Sequence, residues 1–200
     1  MHKSTLVIAC GALSHELVAL ARANHWEHID IQCLPAHWHN TPDKITPGVE
    51  NKIIDNRDQF DRILVAYGDC GSGGQLDAML AKYDDVERLP GAHCYSFFSG
   101  NQIFEQFSED DIGTFYLTDY LAEHFDRLIL EELGIAKHPE LRDTYFGHYT
   151  HVLYLAQTED QGKLEKAQAA ADALGLTLKF HYTGLEPFKD ALQGVKIVTA

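Results

Sequence analysis

The chain has 200 residues, of which 45% are hydrophobic and 23% charged, and its formal net charge is −14. This composition is that of a globular protein, and the length suits one domain whose core needs no disulfides. The acidic balance excludes nucleic acid and anionic membranes as main partners, because both bind basic patches. We therefore expect a small-molecule substrate.

The ends and the apolar runs of the sequence predict a cytoplasmic protein. No apolar run approaches the roughly 20 residues that a membrane-spanning helix requires. The N-terminus leads directly into a predicted strand, without the pattern of a secretory signal. In a reducing compartment, the four cysteines are expected to be thiols or metal ligands and not disulfides.

Apolar runs and helical patterns alternate along almost the whole chain. The predicted strands are residues 5–9, 29–34, 62–66, a short stretch near 86, 150–156 and 176–181. The predicted helices are residues 14–23, 47–59, 75–83, 97–107, 117–133, 161–174 and 186–192. The alternation predicts a single α/β domain over residues 1–200. Its fold would be doubly wound and Rossmann-like, with a mainly parallel sheet of five to six strands and helices on both faces.

A helical, aromatic-rich insertion is expected around residues 95–149. Core packing is the default interpretation of such aromatic side chains, and a lid or the surface of a homo-oligomer is the alternative, because aromatic residues are enriched at interface cores. Within this segment, Asp119 and Glu123 are four residues apart. We interpret them as solvated charges on one helix face.

Three of the four cysteines follow predicted strands. Cys10 ends the first apolar run, Cys70 lies in a glycine-rich turn after the third, and Cys94 follows the short fourth strand. The carboxyl ends of parallel strands meet at one edge of a sheet, where open α/β proteins bind ligands. The sequence therefore predicts that these thiols lie near one another. Cys33, inside the second strand, is expected to be a buried core residue.

A metal site is the first interpretation of these cysteines. Thiolate and imidazole are ligands that zinc and other soft divalent metals prefer, and a catalytic zinc keeps one position open for substrate. The candidate metal ligands are Cys10, Cys70, Cys94, His39 and His93, with His37 as a further candidate. These residues are far apart in the sequence, so their spacing is not a specific motif.

A dithiol site without metal is the second interpretation. Cys10 and Cys70 both precede predicted helices, and a helix N-terminus lowers the pKa of a cysteine. Two facing thiols would exchange protons with a carbon acid, as in cofactor-independent amino-acid racemases. Alternatively, one thiol would be a nucleophile with His93 or His39 as its base. Cys10 and Cys70 are therefore the candidate catalytic residues.

Small residues near the strand ends are candidate ligand contacts. The turn from 68 to 74 lacks the lysine of a P-loop, and no dinucleotide-binding fingerprint follows the first strand. Its N–H groups are expected to face a carboxylate or another small anion. Gly11, Gly71 and Gly73 are therefore candidate cofactor-binding residues, together with Gln157 at the end of the strand predicted over 150–156.

Several segments together resemble one family of bacterial and archaeal proteins. They are ACGAL at 9–13, LPA at 34–36, HN at 39–40, YGDCG at 67–71, GAHCY at 91–95, GTFYLTD at 113–119 and YLAQT at 154–158. Over nearly its whole length the chain is similar to the family called domain of unknown function 1638 (DUF1638). This family carries no assigned activity. The resemblance implies only a loose association with corrinoid-dependent methyl-transfer systems.

A small-molecule enzyme with a cysteine-based site is the function that these observations favour. The first expectation is a thiolate-bound, zinc-like metal at the carboxyl edge of the sheet, serving transfer of a methyl or other one-carbon group. One alternative is a metal-independent dithiol enzyme of the racemase type. The other is a non-enzymatic module that binds a metal or a corrinoid.

Overall fold

The computed structural model describes residues 5–110 and 113–195, with side chains for all of these except 108–110. The strands within these ranges are β1 (Thr5–Cys10), β2 (Ile29–Leu34), β3 (Arg62–Ala66), β4 (Val86–Arg88), β5 (Thr114–Thr118), β6 (His151–Ala156) and β7 (Thr177–Tyr182). The helices are α1 (Ser14–Ala23), α2 (Ile45–Asn56), α3 (Gln75–Leu80), α4 (Tyr95–Ser99), α5 (Asn101–Asp110), α6 (Asp119–Glu123), α7 (Leu141–Phe146), α8 (Gln161–Leu174) and α9 (Glu186–Gly194). Over these same ranges, no helix combines the length and the apolar character needed to cross a membrane.

The chain divides into two compact units, each with its own parallel sheet. The first unit comprises Met1–Gly100 and Leu185–Ala200, and the second comprises Asn101–Gly184. In the first unit the strand order is β2-β1-β3-β4, and in the second it is β5-β6-β7, with every described pairing parallel. The predicted Rossmann-like α/β class is confirmed, although the strands form two sheets where one was expected. The assignment of residues 1–200 to one domain stays a prediction.

The centre of the first sheet is apolar because β1 and β3 have neighbours on both sides. Leu6 and Ile8 of β1 are fully buried, as expected for a parallel strand that is covered on both faces. The strand β2 lies at the edge, where Asp30 and Gln32 interrupt its apolar run. Cys33 on this strand is exposed. The prediction that Cys33 is a core residue was therefore wrong.

The C-terminal helix α9 completes the core of the first unit. Phe188 on this helix is fully buried. Its ring lies against Phe97 and Phe98 of α4, with centroid distances of 5.9 and 5.5 Å. Burying one such ring contributes about 2–3 kcal/mol. The first part of the aromatic-rich segment is therefore core packing, as its simplest interpretation predicted.

The second unit contains a strand that the sequence pattern did not predict. The helix expected over 117–133 is instead the end of β5, the short helix α6 and a π-helical turn over Asp126–Glu131. The residues of β5 include two threonines and two aromatic residues, all of which favour strands. The central strand β6 is buried along its whole length. The alanine-rich face of α8 is also buried, through Ala167, Ala170 and Ala171.

Candidate functional site

Three adjacent strands of the first sheet lead to residues with reactive side chains. Cys10 is the last residue of β1, Tyr67 directly follows β3 and precedes Cys70 by three residues, and Cys94 lies beyond β4. The three cysteines are 8%, 6% and 7% exposed in chain order. Gly11 packs closely on the end of β2, where a Cβ would lie 3.0 Å from a backbone oxygen. The topology therefore brings reactive groups to the carboxyl edge of this sheet.

Backbone contacts hold the turn after β3 against the segment after β4. The N–H of Cys70 donates to the Ala92 carbonyl oxygen at 3.1 Å. A Cβ on Gly68 would lie 2.5 Å from the carbonyl carbon of His93, so only glycine fits there. Cys70 has a φ of +47°, a left-handed conformation that costs a non-glycine residue about 1–2 kcal/mol. The fold thus holds Cys70 in a strained position beside the second loop.

Arg88 ties the same two segments together from within the sheet. Its Nη1 donates to the carbonyl oxygens of Tyr67 at 3.0 Å, Leu89 at 3.1 Å and Gly91 at 3.2 Å. Its Nε donates to Asp77 at 2.6 Å. The Arg88 side chain is only 15% exposed. Because this one guanidinium joins the end of β3 to the loop after β4, it acts as a positioning residue for the thiols.

The Sγ atoms of Cys70 and Cys94 are 3.1 Å apart, within hydrogen-bond distance. This bond is the main cause that lowers the pKa of Cys70, and backbone N–H groups of Cys94 and Gly68 add to it against the effect of burial. The same bond, followed by burial, raises the pKa of Cys94 well above its ordinary value. The contact therefore favours a shared proton that Cys94 holds more strongly than Cys70 does.

Cys10 and Tyr67 both remain protonated beside this pair. Burial raises the pKa of Cys10 to about 11; the N–H of Ala12 acts against this, and charge on Cys70 adds to it. Tyr67 is 2% exposed, and although its hydroxyl makes no hydrogen bond of regular geometry within the described residues, its weak interaction with Cys10 lowers the pKa of that thiol. Burial, then Cys10, Cys94 and Cys70, raise the pKa of Tyr67. A protonated phenol near three sulfurs is a donor that a bound ligand would use.

His39 and His93 form a pair of neutral imidazoles near this turn, with ring centroids 5.1 Å apart. The Nδ1 of His93 accepts the N–H of Tyr95 at 3.2 Å. Burial, and then His39, lower the pKa of His93 to about 3. Burial of the ring also lowers the pKa of His39, although part of this residue is exposed. Such a histidine is a weak general base near neutral pH, which does not favour the nucleophile-and-base alternative.

The glycine-rich turn binds a carboxylate of the chain itself. Asp69 accepts the Ser72 hydroxyl at 2.6 Å and the N–H groups of Gly73 and Gly74 at 3.1 and 2.8 Å. The Ser72 bond and then these N–H groups lower the pKa of Asp69. Gly71 has a φ of +86°, which the turn requires. The ligand-binding roles of Gly11, Gly71 and Gly73 stay predictions.

The donor set at this edge suits a soft metal, and the spacing of its closest sulfurs can be compared with that of two zinc ligands. Two thiolates on a tetrahedral zinc, with bonds of about 2.3 Å, lie about 3.8 Å apart. The Cys70 and Cys94 sulfurs are closer, at 3.1 Å. Over residues 5–110 and 113–195, no group of three or more His, Cys, Asp or Glu side chains is arranged to hold a metal ion. The metal-ligand assignments of Cys10, Cys70, Cys94, His39 and His93 stay predictions.

Gln157 belongs to the second unit, where it forms part of a buried network around Asp119. The Gln157 Oε1 accepts the Asp119 N–H at 2.8 Å, and the Gln157 N–H donates to Asp119 Oδ1 at 3.0 Å. The same carboxylate accepts Tyr154 Oη at 2.8 Å, Thr158 Oγ1 at 2.5 Å and Lys163 Nζ at 2.9 Å. Asp119 is 2% exposed, so its interpretation as a solvated charge was wrong, whereas Glu123 is exposed. The ligand role of Gln157 stays a prediction.

Sequence reasoning missed Tyr67 and Arg88. The available signal for Tyr67 was its position, because it carries a hydroxyl directly after a buried apolar strand. No sequence signal distinguishes Arg88 from a surface cation, since its role depends on which carbonyl groups the two loops present to it.

The fold and the site together define a Rossmann-like α/β protein with a buried cysteine cluster at a sheet edge. The family described as "Protein of unknown function (DUF1638)" matches residues 33–192. The chain therefore belongs to this family, as the resemblance indicated. The matched span includes Cys70 and Cys94 and begins after Cys10. No curated protein and no solved structure matches the chain.

Proposed function

We propose that the protein is a small-molecule enzyme that uses the Cys70 thiolate, without a metal, as an acid–base catalyst on a carbon acid. The observation that carries this proposal is the 3.1 Å contact between the sulfurs of Cys70 and Cys94. A buried thiol that donates to a second sulfur stabilises the thiolate form of the acceptor, and the thiolate is the reactive form of cysteine. The low exposure of the cluster suits a small substrate.

Cys10 supplies the second group that proton exchange at carbon requires. With a pKa of about 11, Cys10 is a thiol near neutral pH, whereas the lowered pKa of Cys70 favours its thiolate. Cys70 would take a proton from an acidic C–H of the substrate, and Cys10 would give its proton to the resulting carbanion. One C–H bond breaks and one forms, and the proton moves from one thiol to the other. The reverse reaction resets the enzyme.

Tyr67 would stabilise the charge that develops on the substrate. Its buried hydroxyl interacts only weakly with the Cys10 thiol, and its raised pKa keeps the proton on oxygen. A preorganised donor in a dry site stabilises an enolate-like oxygen more than it stabilises the neutral ground state. The substrate class that fits is a small carboxylic acid with an acidic α C–H, such as an amino acid or a hydroxy acid.

A thiolate–metal site is the second candidate. Cys10, Cys94 and Cys70 each raise the pKa of the Tyr67 hydroxyl. This shared effect is expected when three soft donors converge on one place, and it favours a metal site. A zinc-like metal would use these thiolates with His39 or His93, and an open position would serve one-carbon transfer. The same ligands without turnover would make a metal- or corrinoid-binding module. Either arrangement requires the closest pair of sulfurs to move apart.

Exchange of substrate hydrogen with solvent tests this proposal. The protein would be incubated in D₂O with a panel of small amino and hydroxy acids, with and without a chelator, and loss of the α C–H signal followed by NMR. We expect exchange that survives chelation, and a loss of about 100-fold or more in Cys70→Ser. The matched control is Cys33→Ser, which removes an exposed thiol and should leave exchange unchanged.

The remaining outcomes separate the candidates. Exchange or transfer that disappears on chelation and returns with zinc would favour the thiolate–metal enzyme. Stoichiometric metal or corrinoid without turnover of any substrate in the panel would favour the binding module. Metal-free protein without exchange would contradict the acid–base proposal.

A further inference from the structure

We propose that Cys70 and Cys94 form a reversible disulfide by exchange with a low-molecular-weight disulfide, and that this bond switches the site off. The switching rests on the proposed function, because it assumes that the Cys70 thiolate is the working group. The bond itself does not, because it follows from the positions of the two sulfurs. Neither the fold nor the family assigns a redox modification to this chain.

The geometry of the two sulfurs is close to that of a bond. A disulfide has an S–S length of about 2.05 Å, and the two Sγ atoms already lie 3.1 Å apart. Closure therefore requires about 1 Å of relative movement. Rotation of the two cysteine side chains and small shifts of their loops provide such a movement.

The backbones beneath the two cysteines are already in contact. The Cys70 N–H donates to Ala92 at 3.1 Å, and Gly68 packs against the backbone of His93 and Cys94 with no room for a Cβ. A bond between the sulfurs would therefore join segments that the fold already holds side by side.

The other two cysteines are less suited to react. Cys10 is held as a thiol by burial, with a pKa of about 11, and the thiolate is the form that attacks a disulfide. Cys33 on the edge strand β2 is exposed, but partial burial of its thiol raises its pKa and so lowers its thiolate fraction. Cys70 is the best placed for a selective reaction, since its sulfur lies 3.1 Å from that of Cys94 and this contact favours its thiolate form. The bond should therefore join this pair and not include Cys10.

The exchange is balanced without a further oxidant. The Cys70 thiolate attacks one sulfur of RSSR, forms a mixed disulfide and releases RS⁻. Cys94 then loses its proton to that RS⁻, and its sulfur attacks the Cys70 sulfur and releases the second RS⁻. Two cysteine sulfurs are oxidised by two electrons, and RSSR is reduced to one RSH and one RS⁻. Excess RSH drives the reaction in the opposite direction.

Differential alkylation of the full chain tests the bond. Reduced protein would be treated with glutathione disulfide, quenched in acid, alkylated, digested and analysed by mass spectrometry. We expect Cys70 and Cys94 to lose alkylation together, with recovery of a cross-linked peptide pair that dithiothreitol separates. Cys94→Ser should accumulate a glutathione adduct on Cys70, because the second attack is removed. Cys33→Ser should form the same bond as the wild-type protein.

Several outcomes would overturn the proposal. A wild-type protein that retains the glutathione adduct, or a bond that includes Cys10, contradicts the predicted pair. A disulfide that forms while hydrogen exchange continues contradicts the switch. A disulfide that forms in a protein without exchange in either state leaves the bond established and contradicts the proposed function instead.

Discussion

The backbone nitrogen of Cys94 would lie 2.8 Å from a Cβ at position 68, so Gly68 allows the two loops to touch. This contact explains how cysteines separated by 24 residues place their sulfurs 3.1 Å apart. The distance between the two sulfurs depends on the backbone contact at Gly68, and the pKa of each thiol depends on the proton held between them. Substitutions can change the contact and the proton separately.

Cys94→Ala should make Cys70 a weaker acid. The thiol of Cys94 is the main cause that lowers the pKa of Cys70, so its removal should shift the pH profile of Cys70 alkylation to higher pH. Cys94→Ser retains a hydrogen-bond donor and should restore part of the shift. Mass spectrometry of alkylated peptides over a pH series measures both profiles. Identical profiles for wild type and Cys94→Ala would show that the two sulfurs do not interact.

Gly68→Ala should destabilise the first unit and disturb the thiol pair. The new Cβ would lie 2.5 Å from backbone of His93, and such overpacking costs about 1–3 kcal/mol. Denaturant unfolding measures this loss. The control is Gly194→Ala, where the added Cβ would meet no atom of the described residues within 4 Å beyond its own helix and chain neighbours, and stability should be unchanged or slightly higher. Equal stability of both variants would refute the close approach of the loops.

Asp69→Asn should lower stability by about 1 kcal/mol near neutral pH, because it weakens the hydrogen bonds that hold the glycine turn. The lowered pKa of Asp69 means that its stabilisation is present above the unfolded pKa and is lost as pH falls through the folded pKa. The difference between wild type and variant should therefore shrink in acid. Asp30→Asn, on an exposed carboxylate of the edge strand β2, is the control. A difference in stability between wild type and Asp69→Asn that grows in acid would contradict the lowered pKa of Asp69.

The sequence predicted much of the first unit because its strands are short apolar runs with few alternatives. The cysteines at the ends of β1, β3 and β4 could be identified from position alone, since parallel strands end at one edge. The state of the thiols could not be predicted in this way. Whether Cys70 or Cys94 keeps the proton depends on burial and on which N–H groups face each sulfur.

The second unit was predicted less well, for a physical reason. Thr114–Thr118 is a strand because it pairs with β6, and such pairing depends on residues far away in the sequence. The burial of Asp119 follows from the same pairing, which places it beside Tyr154 and Gln157. No local pattern distinguishes this carboxylate from the exposed Glu123 four residues later.

Asp119→Ala should destabilise the second unit by about 3 kcal/mol or more, because it removes the acceptor for two buried donors, Tyr154 Oη and the Gln157 N–H. Denaturant unfolding provides the measurement. Glu123→Gln is the control in the same unit, since the ion pair of Glu123 with Lys166 is exposed and such pairs contribute little. A variant at 119 as stable as the variant at 123 would show that the network does not hold this unit together.

The central claim is that Cys70 is a working thiolate, and competitive alkylation of all four cysteines in the native protein tests it most directly. The labelling rate of each cysteine would be followed by mass spectrometry near neutral pH, before and after chelation, with the exposed Cys33 as the internal reference. The account predicts that Cys70 is alkylated faster than Cys33 and that chelation does not change this order. The contrary result is that only Cys33 is labelled, while Cys70 is protected as fully as Cys10 and Cys94 before and after chelation. That result would contradict the claim that Cys70 is a working thiolate.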